Sequence, residues 1–255
     1  MSTIFCFTST GNSLYVARKI AEKTGGQVLP MNTGPAVCDD ELIGFVYPVY
    51  FWKPPRIVDR FISELEITNK DVYLFAVGTY GGAAPGVNGL IDKKLKEKGQ
   101  RLNYGGYVKL VDNYIPMYNP KDSEKLQREA EEKIKAIADA VCSKENNRIA
   151  PATFLNAIFY KGMPGEDSDK YFSVAGNCNG CGICQKICPV KNIAMEDDRP
   201  AFLHKCEHCL GCIQNCPALA IDWKGKAKGR ERFRKDGVTL DDLVSFNHSE
   251  TSKTA

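Results

Sequence analysis

The chain has 255 residues, of which 43% are hydrophobic, and a formal charge of only +3. That length admits one large domain or two smaller ones with ample core, and so small a charge excludes nucleic-acid binding by bulk electrostatics. No basic stretch followed by an apolar run and a small-residue cleavage site opens the sequence. Its most apolar run, residues 42–52, is broken by Pro48 and too short to span a bilayer, so a soluble, cytoplasmic protein is expected.

In chain order, residues 3–7 form a short β-rich run. A polar turn follows, and then an amphipathic run at 13–23 with Leu14, Ala17, Ile20 and Ala21 on one face. Residues 27–31 make a second, weaker strand. The apolar run 42–47 predicts a buried strand, followed by a proline-broken loop and a helical run over 55–65. Another buried strand is expected at 72–77, and a helix over 86–97 with Leu90, Ile91 and Leu95 inward and Gly99 as its stop. Residues 107–111 end a fifth strand. The strongest helical pattern lies at 122–142, where Leu126, Ala130, Ile134, Ile137 and Val141 repeat at three and four and Asp122 or Ser123 can cap. Five strands joined by helical crossovers imply a doubly wound α/β fold with a parallel sheet. Ligands then belong at the carboxyl ends of its strands.

Past residue 144 the periodicity fades among Pro151, Gly162, Pro164 and Gly165, although Phe154, Leu155, Ile158 and Phe159 keep helical spacing. The expected role is a short helix packing between domains; a lid over a bound group is the sharper alternative. After Trp223 comes a polar tail with a basic run (Lys224, Lys226, Lys228, Arg230, Arg232, Arg234, Lys235), and a disordered stretch is expected from Ser249.

Two features carry chemistry. The first is the loop after strand one, Thr8-Ser9-Thr10-Gly11-Asn12-Ser13, which opens a helix. Hydroxyls and consecutive N–H groups at a helix N-terminus suit an anion. Without a cation in the loop, one phosphate monoester fits better than a triphosphate with magnesium; an ordinary capped turn would use the same residues. The second feature is a pattern written twice. Cys178, Cys181, Cys184 and Cys188 are spaced C-x2-C-x2-C-x3-C before Pro189, and Cys206, Cys209, Cys212 and Cys216 repeat this before Pro217. Structural zinc sites more often pair cysteines across a long gap. Disulfides require an oxidising compartment, of which the sequence gives no sign.

The cysteine spacing resembles that of bacterial two-cluster ferredoxins, in which each run's fourth cysteine serves the other cluster. The resemblance implies one [4Fe–4S] cluster on Cys178, Cys181, Cys184 and Cys216, and a second on Cys206, Cys209, Cys212 and Cys188. The segment TSTGNS resembles the FMN-phosphate loop of flavodoxins, and the five-strand alternation is similar to their fold over residues 1–143. This implies FMN held by Ser9, Thr10, Gly11, Asn12 and Ser13 at its phosphate. Its ring would be held by Pro48, Tyr50, Phe51 and Trp52 after strand three and by Thr79, Tyr80, Gly81 and Gly82 after strand four. Trp52 and Tyr80 are the candidate stacking faces, each with core packing as its alternative, and Asp112-Asn113-Tyr114 could add a contact. Pro48, Pro54 and Pro55 set the third loop apart from a typical flavodoxin.

As a whole the chain is similar to the flavodoxin–ferredoxin fusion proteins of anaerobes. The expected organisation is a flavodoxin-like doubly wound five-stranded parallel sheet (1–143), an interdomain segment (144–170), a small α+β two-cluster ferredoxin domain (171–223) and a basic, partly flexible tail (224–255). No second dinucleotide fingerprint and no acid, base or nucleophile cluster stands out. An electron relay between FMN, the clusters and a redox partner protein is therefore expected. The alternatives are an iron–sulfur flavoenzyme acting on a small substrate and a non-redox sensor or scaffold. The basic run is either solvated or a docking face for an acidic partner. Cys6 and Cys142 are expected to be buried fillers, and His208 a solvated loop residue or a tuner of the neighbouring cluster.

Overall fold

The computed structural model describes residues 1–31 and 37–249. Its first half alternates β1 (Ser2–Cys6), α1 (Asn12–Thr24), β2 (Gln27–Pro30), β3 (Leu42–Pro48), α2 (Arg56–Glu64), β4 (Tyr73–Tyr80), α3 (Val87–Lys96), β5 (Tyr104–Lys109) and α4 (Glu124–Cys142). The five strands form one parallel sheet in the order β2-β1-β3-β4-β5. That order is the flavodoxin-like member of the doubly wound folds, with its switch point between β1 and β3. A two-residue parallel pair, Val37–Cys38 with Glu66–Ile67, lies apart from the sheet.

The central strands read as continuous apolar runs because both faces are covered. Ile4, Cys6, Val46, Phe75 and Val77 pack with α1 and α4, whereas Phe5, Phe7, Phe45, Tyr47, Leu74 and Ala76 pack with α2 and α3. Ser123 caps α4 by accepting from the Leu126 N–H at 3.2 Å. At the β5 edge, the Asn147 side chain accepts from Gly105 N–H at 2.9 Å and donates to its carbonyl at 3.0 Å, closing exposed backbone groups.

The second half begins with α5 (Phe154–Tyr160) and a 3-10 turn at Glu166–Tyr171. It continues through β6 (Phe172–Val174), α6 (Ile183–Ile187), β7 (Ile193–Glu196), β8 (Arg199–Phe202), α7 (Gly211–Gln214) and β9 (Ile221–Trp223). β6 pairs with β9 and β7 with β8, both antiparallel. Around Cys184, Cys216, Ile193, Ile213 and Trp223 they build a small separate core, which the first half enters through Ile115.

Residues 224–249 depart from the expected tail. They run back along the first half and end in α8 (Leu240–His248), with a capping box of Thr239 and Asp242. Leu243 and Phe246 join the core beneath α1, and Asp242 meets Arg18 at 2.7 Å. The basic run is correspondingly split: Lys224, Lys226 and Lys228 are exposed, whereas Lys235 is buried. Beyond Ser249, the stretch expected to be disordered lies outside the described residues. Among the described residues no helix is long and apolar enough to cross a membrane.

Candidate functional site

The loops after β1, β3, β4 and β5 enclose a cavity of about 320 Å³ at the carboxyl ends of the strands, a size typical of small-molecule sites. Ser9, Thr10, Asn12 and Ser13 are buried in its wall. α1 begins there without a side-chain cap. Its first N–H groups lack intrahelical partners and its dipole adds positive potential, so this end of the cavity suits an anion. Ser13 and Thr79 hydroxyls are 2.8 Å apart, and Asn113 donates to the Thr10 hydroxyl, bracing the loop from β4 and β5. Asn12 Nδ2 donates to the Val111 carbonyl at 3.3 Å, while its Oδ1 is buried without a partner. Such an acceptor calls for a ligand donor, a hydroxyl rather than a phosphate oxygen.

Gly11, expected among the binding residues, is not part of the wall. Its N–H donates to Thr8 Oγ1 at 3.1 Å. Its φ is +98°, and an added Cβ would lie 3.0 Å from the Val238 side chain. The residue turns the loop and receives the returning C-terminal segment, where Lys235 N–H donates to the Thr10 carbonyl at 2.8 Å.

The other end of the cavity is aromatic. The loop after β3 is pinned by paired backbone bonds between Tyr50 and Lys53, 2.9 Å each, and carries Phe51 and Trp52 at φ of 47° and 61°. Pro48, Tyr50, Phe51 and Trp52 face Thr79, Tyr80, Gly81 and Gly82 from the loop after β4, and Asp112, Asn113 and Tyr114 from the loop after β5. Gly81 is obligatory, because a Cβ there would fall 2.3 Å from that of Asp112. Burial raises the Asp112 carboxyl above its ordinary value. Trp52 stacks on Phe159, with centroids 3.6 Å apart. α5 is therefore not the interdomain packing helix expected. Only Asn156 is buried, donating to the Trp52 and Pro85 carbonyls at 2.8 Å each, while Phe154, Leu155 and Ile158 are exposed and Phe159 lines the cavity.

The two cysteine runs share a backbone. Gly180 and Gly182 adopt φ of 69°, and the matching positions of the second run, His208 and Leu210, adopt 52° and 58°. Side chains at such positions cost about 1–2 kcal/mol each. Here they are retained where they serve as wall: His208, Cys209 and Leu210 all line the main cavity. Cys188, Cys206, Cys209 and Cys212 line a second cavity, with Leu210, Phe172 and Phe202 among its apolar walls. Burial, with the charges of neighbouring cysteines adding to it, pushes the thiols of this group up, Cys206 to about 12 and Cys212 well above its ordinary value. Burial likewise raises Cys184 to about 11, and Cys216 and Cys181 lie near enough to add to it. Backbone N–H groups of Asn192, His208 and Ala220 point at the sulfurs of Cys188, Cys206 and Cys216, at 3.2, 3.3 and 3.3 Å. None of the eleven cysteines is joined in a disulfide. Among the described residues no group of three or more His, Cys, Asp or Glu side chains could hold a metal ion.

The halves meet around the second run. Glu207, buried between two of its cysteines, accepts from the Ile57 N–H at 3.2 Å, capping α2 from outside. Arg56 donates to the Cys206 carbonyl at 2.7 Å and Gln214 to that of Asn113 at 2.7 Å. His208 corrects the expectation of a solvated residue. It is buried, 3.1 Å from the Tyr114 hydroxyl and edge-on to Trp223, and burial lowers its basicity to about 4. Cys142 also departs from expectation, being exposed, whereas Cys6 is buried.

Strand order and cavity together define a flavodoxin-like α/β unit joined to a compact cysteine-rich one. No protein-family model matches the chain, and no curated protein matches it. Among solved structures it is similar to the two-electron-reduced flavodoxin of Megasphaera elsdenii, with 13% identity and a TM-score of 0.41 over 56% of this chain and 99% of that one. It is similar also to a Streptococcus pneumonia TIGR4 flavodoxin (15%, 0.39, covering 56% and 97%). A third is the rubredoxin oxygen:oxidoreductase of the anaerobe Desulfovibrio gigas (14%, 0.38), for which the chain covers 56% of itself but only 36% of that protein. The strand order, rather than these likenesses, defines the fold.

Proposed function

We propose that the chain is an electron-transfer flavoprotein. It binds FMN in the main cavity and two [4Fe–4S] clusters on its eight spaced cysteines, and it exchanges electrons with a redox partner protein. The observation that carries this reading is that the two cavities share a wall, Cys209 and Leu210. The uncapped start of α1, with Thr10 and Ser13, would hold the phosphate, the Asn12 carbonyl oxygen would accept from a ribityl hydroxyl, and Trp52, Tyr80 and Tyr114 would border the ring. Cys188, Cys206, Cys209 and Cys212 ring a cavity as ligands of a cubane should, because its four thiolates bind four separate irons and stand further apart than ligands of one ion. When bound, the flavin would link one-electron and two-electron chemistry and the clusters would carry single electrons. The protein itself excludes water with aromatic walls and directs N–H groups at sulfur, which tunes potential.

The exposed Lys224, Lys226 and Lys228 suit a partner with an acidic face, and the thiolate clusters suit a reducing, anaerobic cytoplasm. A second reading, an iron–sulfur flavoenzyme reducing a small apolar substrate, is favoured by the exposed Met117, Tyr118 and Phe159 at the cavity rim. Anaerobic reconstitution tests the proposal. Saturation at about eight irons, four per cluster, together with stoichiometric FMN is expected. Saturation at half that iron, zinc in its place, or absence of flavin overturns it.

A further inference from the structure

We infer that the two clusters have different and fixed duties. The cluster on Cys188, Cys206, Cys209 and Cys212 is the flavin's only direct electron partner, and the cluster on Cys178, Cys181, Cys184 and Cys216 is the port to the external protein. This inference rests on the function proposed above and adds a direction to it.

Four observations converge. Cys209 is common to the walls of both cavities, whereas Cys178, Cys181, Cys184 and Cys216 line neither. Tyr50, half-buried and itself a wall of the main cavity, packs on the same apolar cluster of the first half as Cys209. The polar contacts between the halves gather on the second run's side: Gln214 binds the Asn113 carbonyl, Asn215 approaches the Ser9 carbonyl at 3.5 Å, and Glu207 caps α2. In contrast, the outer group reaches solvent at Cys181, the one exposed cysteine of the eight, although Cys184 and Cys216 are buried.

The backbone asymmetry points the same way. Both runs take left-handed turns at matching positions, but the first uses Gly180 and Gly182 and the second His208 and Leu210. Gly182 faces open space, whereas a Cβ on Gly180 would lie 2.9 Å from that of Asp198. In the second run the side chains at these strained positions line the main cavity, and that of Leu210 lines the second cavity as well. His208 and Leu210 thus make the second run a partition rather than an open edge.

The electron balance is simple. A low-potential one-electron protein donor is oxidised as the outer cluster gains one electron. The outer cluster is reoxidised by the inner, and the inner by the flavin. Two such passages, with protons from solvent, reduce the flavin fully, and the reverse order oxidises it.

The test uses the holoprotein, first shown to contain iron and FMN. With a one-electron protein donor, Cys181→Ser should lose donor-driven reduction of the flavin, yet electrons placed on the flavin by light should still reach the inner cluster. Cys209→Ser should lose the light-driven transfer, while the donor still reduces the outer cluster. Flavin reduced by the donor at the wild-type rate in Cys209→Ser, or light-driven transfer lost in Cys181→Ser but kept in Cys209→Ser, overturns the assignment. If either variant does not fold, pulsed EPR on the partly reduced intact chain decides. One cluster strongly coupled to the flavin's signal and one weakly coupled is expected; equal coupling overturns the inference. Wild-type protein that binds neither cofactor would instead overturn the function on which the inference rests.

Discussion

Leu243 is wholly buried on α8, in the core shared with α1, and replacing it by alanine tests whether the C-terminal segment supports the loop after β1 and the FMN binding proposed for it. Trimming such a leucine costs about 2–5 kcal/mol. Because α8 is short and docks chiefly through Leu243 and Phe246, most of that loss should appear as detachment of the helix. The detached state should become roughly 1.5–3.5 powers of ten more populated. Detachment carries with it the segment just upstream, where Lys235 binds the Thr10 carbonyl and Val238 packs against Gly11. Leu243→Ala should therefore weaken FMN binding although it touches no part of the cavity. Hydrogen exchange across residues 235–249, run beside a flavin titration, reads both effects. Asp242→Asn is the graded control, since an exposed ion pair and one cap are together worth roughly 1–2 kcal/mol. Freely exchanging α8 amides together with wild-type flavin affinity would refute the reasoning: the loop would then hold its shape without the strap.

Other outcomes follow from the same geometry. Thr10→Asp with Ser13→Asp should expel the flavin by placing like charge at the uncapped start of α1; unchanged flavin content would mean that the phosphate lies elsewhere. Gly81→Ala, whose Cβ would fall 2.3 Å from that of Asp112, should cost about 1–3 kcal/mol in a thermal melt and weaken flavin binding as the loops part. The Asp242 carboxyl is held well below its ordinary value by hydrogen bonds from Thr239 and Arg18. Its contribution is therefore complete above the unfolded value of about 3.9 and lost as pH falls through the lower folded value. Exchange protection of α8, measured against pH and corrected for intrinsic exchange rates, should be flat from about 5 to 8 and fall in acid below about 4.

The alternation of the first half was legible because local and tertiary demands coincide there. A strand buried on both faces must be a continuous apolar run, as residues 42–47 and 72–77 are, and a helix covering a sheet needs the 3.6-residue stripe seen in α4. The cysteine spacing was equally plain in the sequence, and the ligand role proposed for it rests on residue type and interval. The second half's isolated cues failed where the partner lay far away in sequence. Residues 240–248 read as polar tail because α8 buries deeply only two apolar side chains, Leu243 and Phe246, beside the polar Asn247, and the apolar pair packs against residues more than two hundred positions earlier. His208 read as a loop residue because nothing nearby in sequence announces Tyr114 or Trp223.

By itself, then, the sequence determined what each segment is able to do: pair in a sheet, start a helix at an anion, or offer thiolates at set intervals. Only the tertiary structure decided which cysteine stands at the main cavity, that the basic run would bend back over the first loop, and that the halves would meet through Glu207 and Gln214 rather than merely share a linker. Those choices depend on complementary surfaces brought together by the whole chain, and no local pattern of residues encodes them.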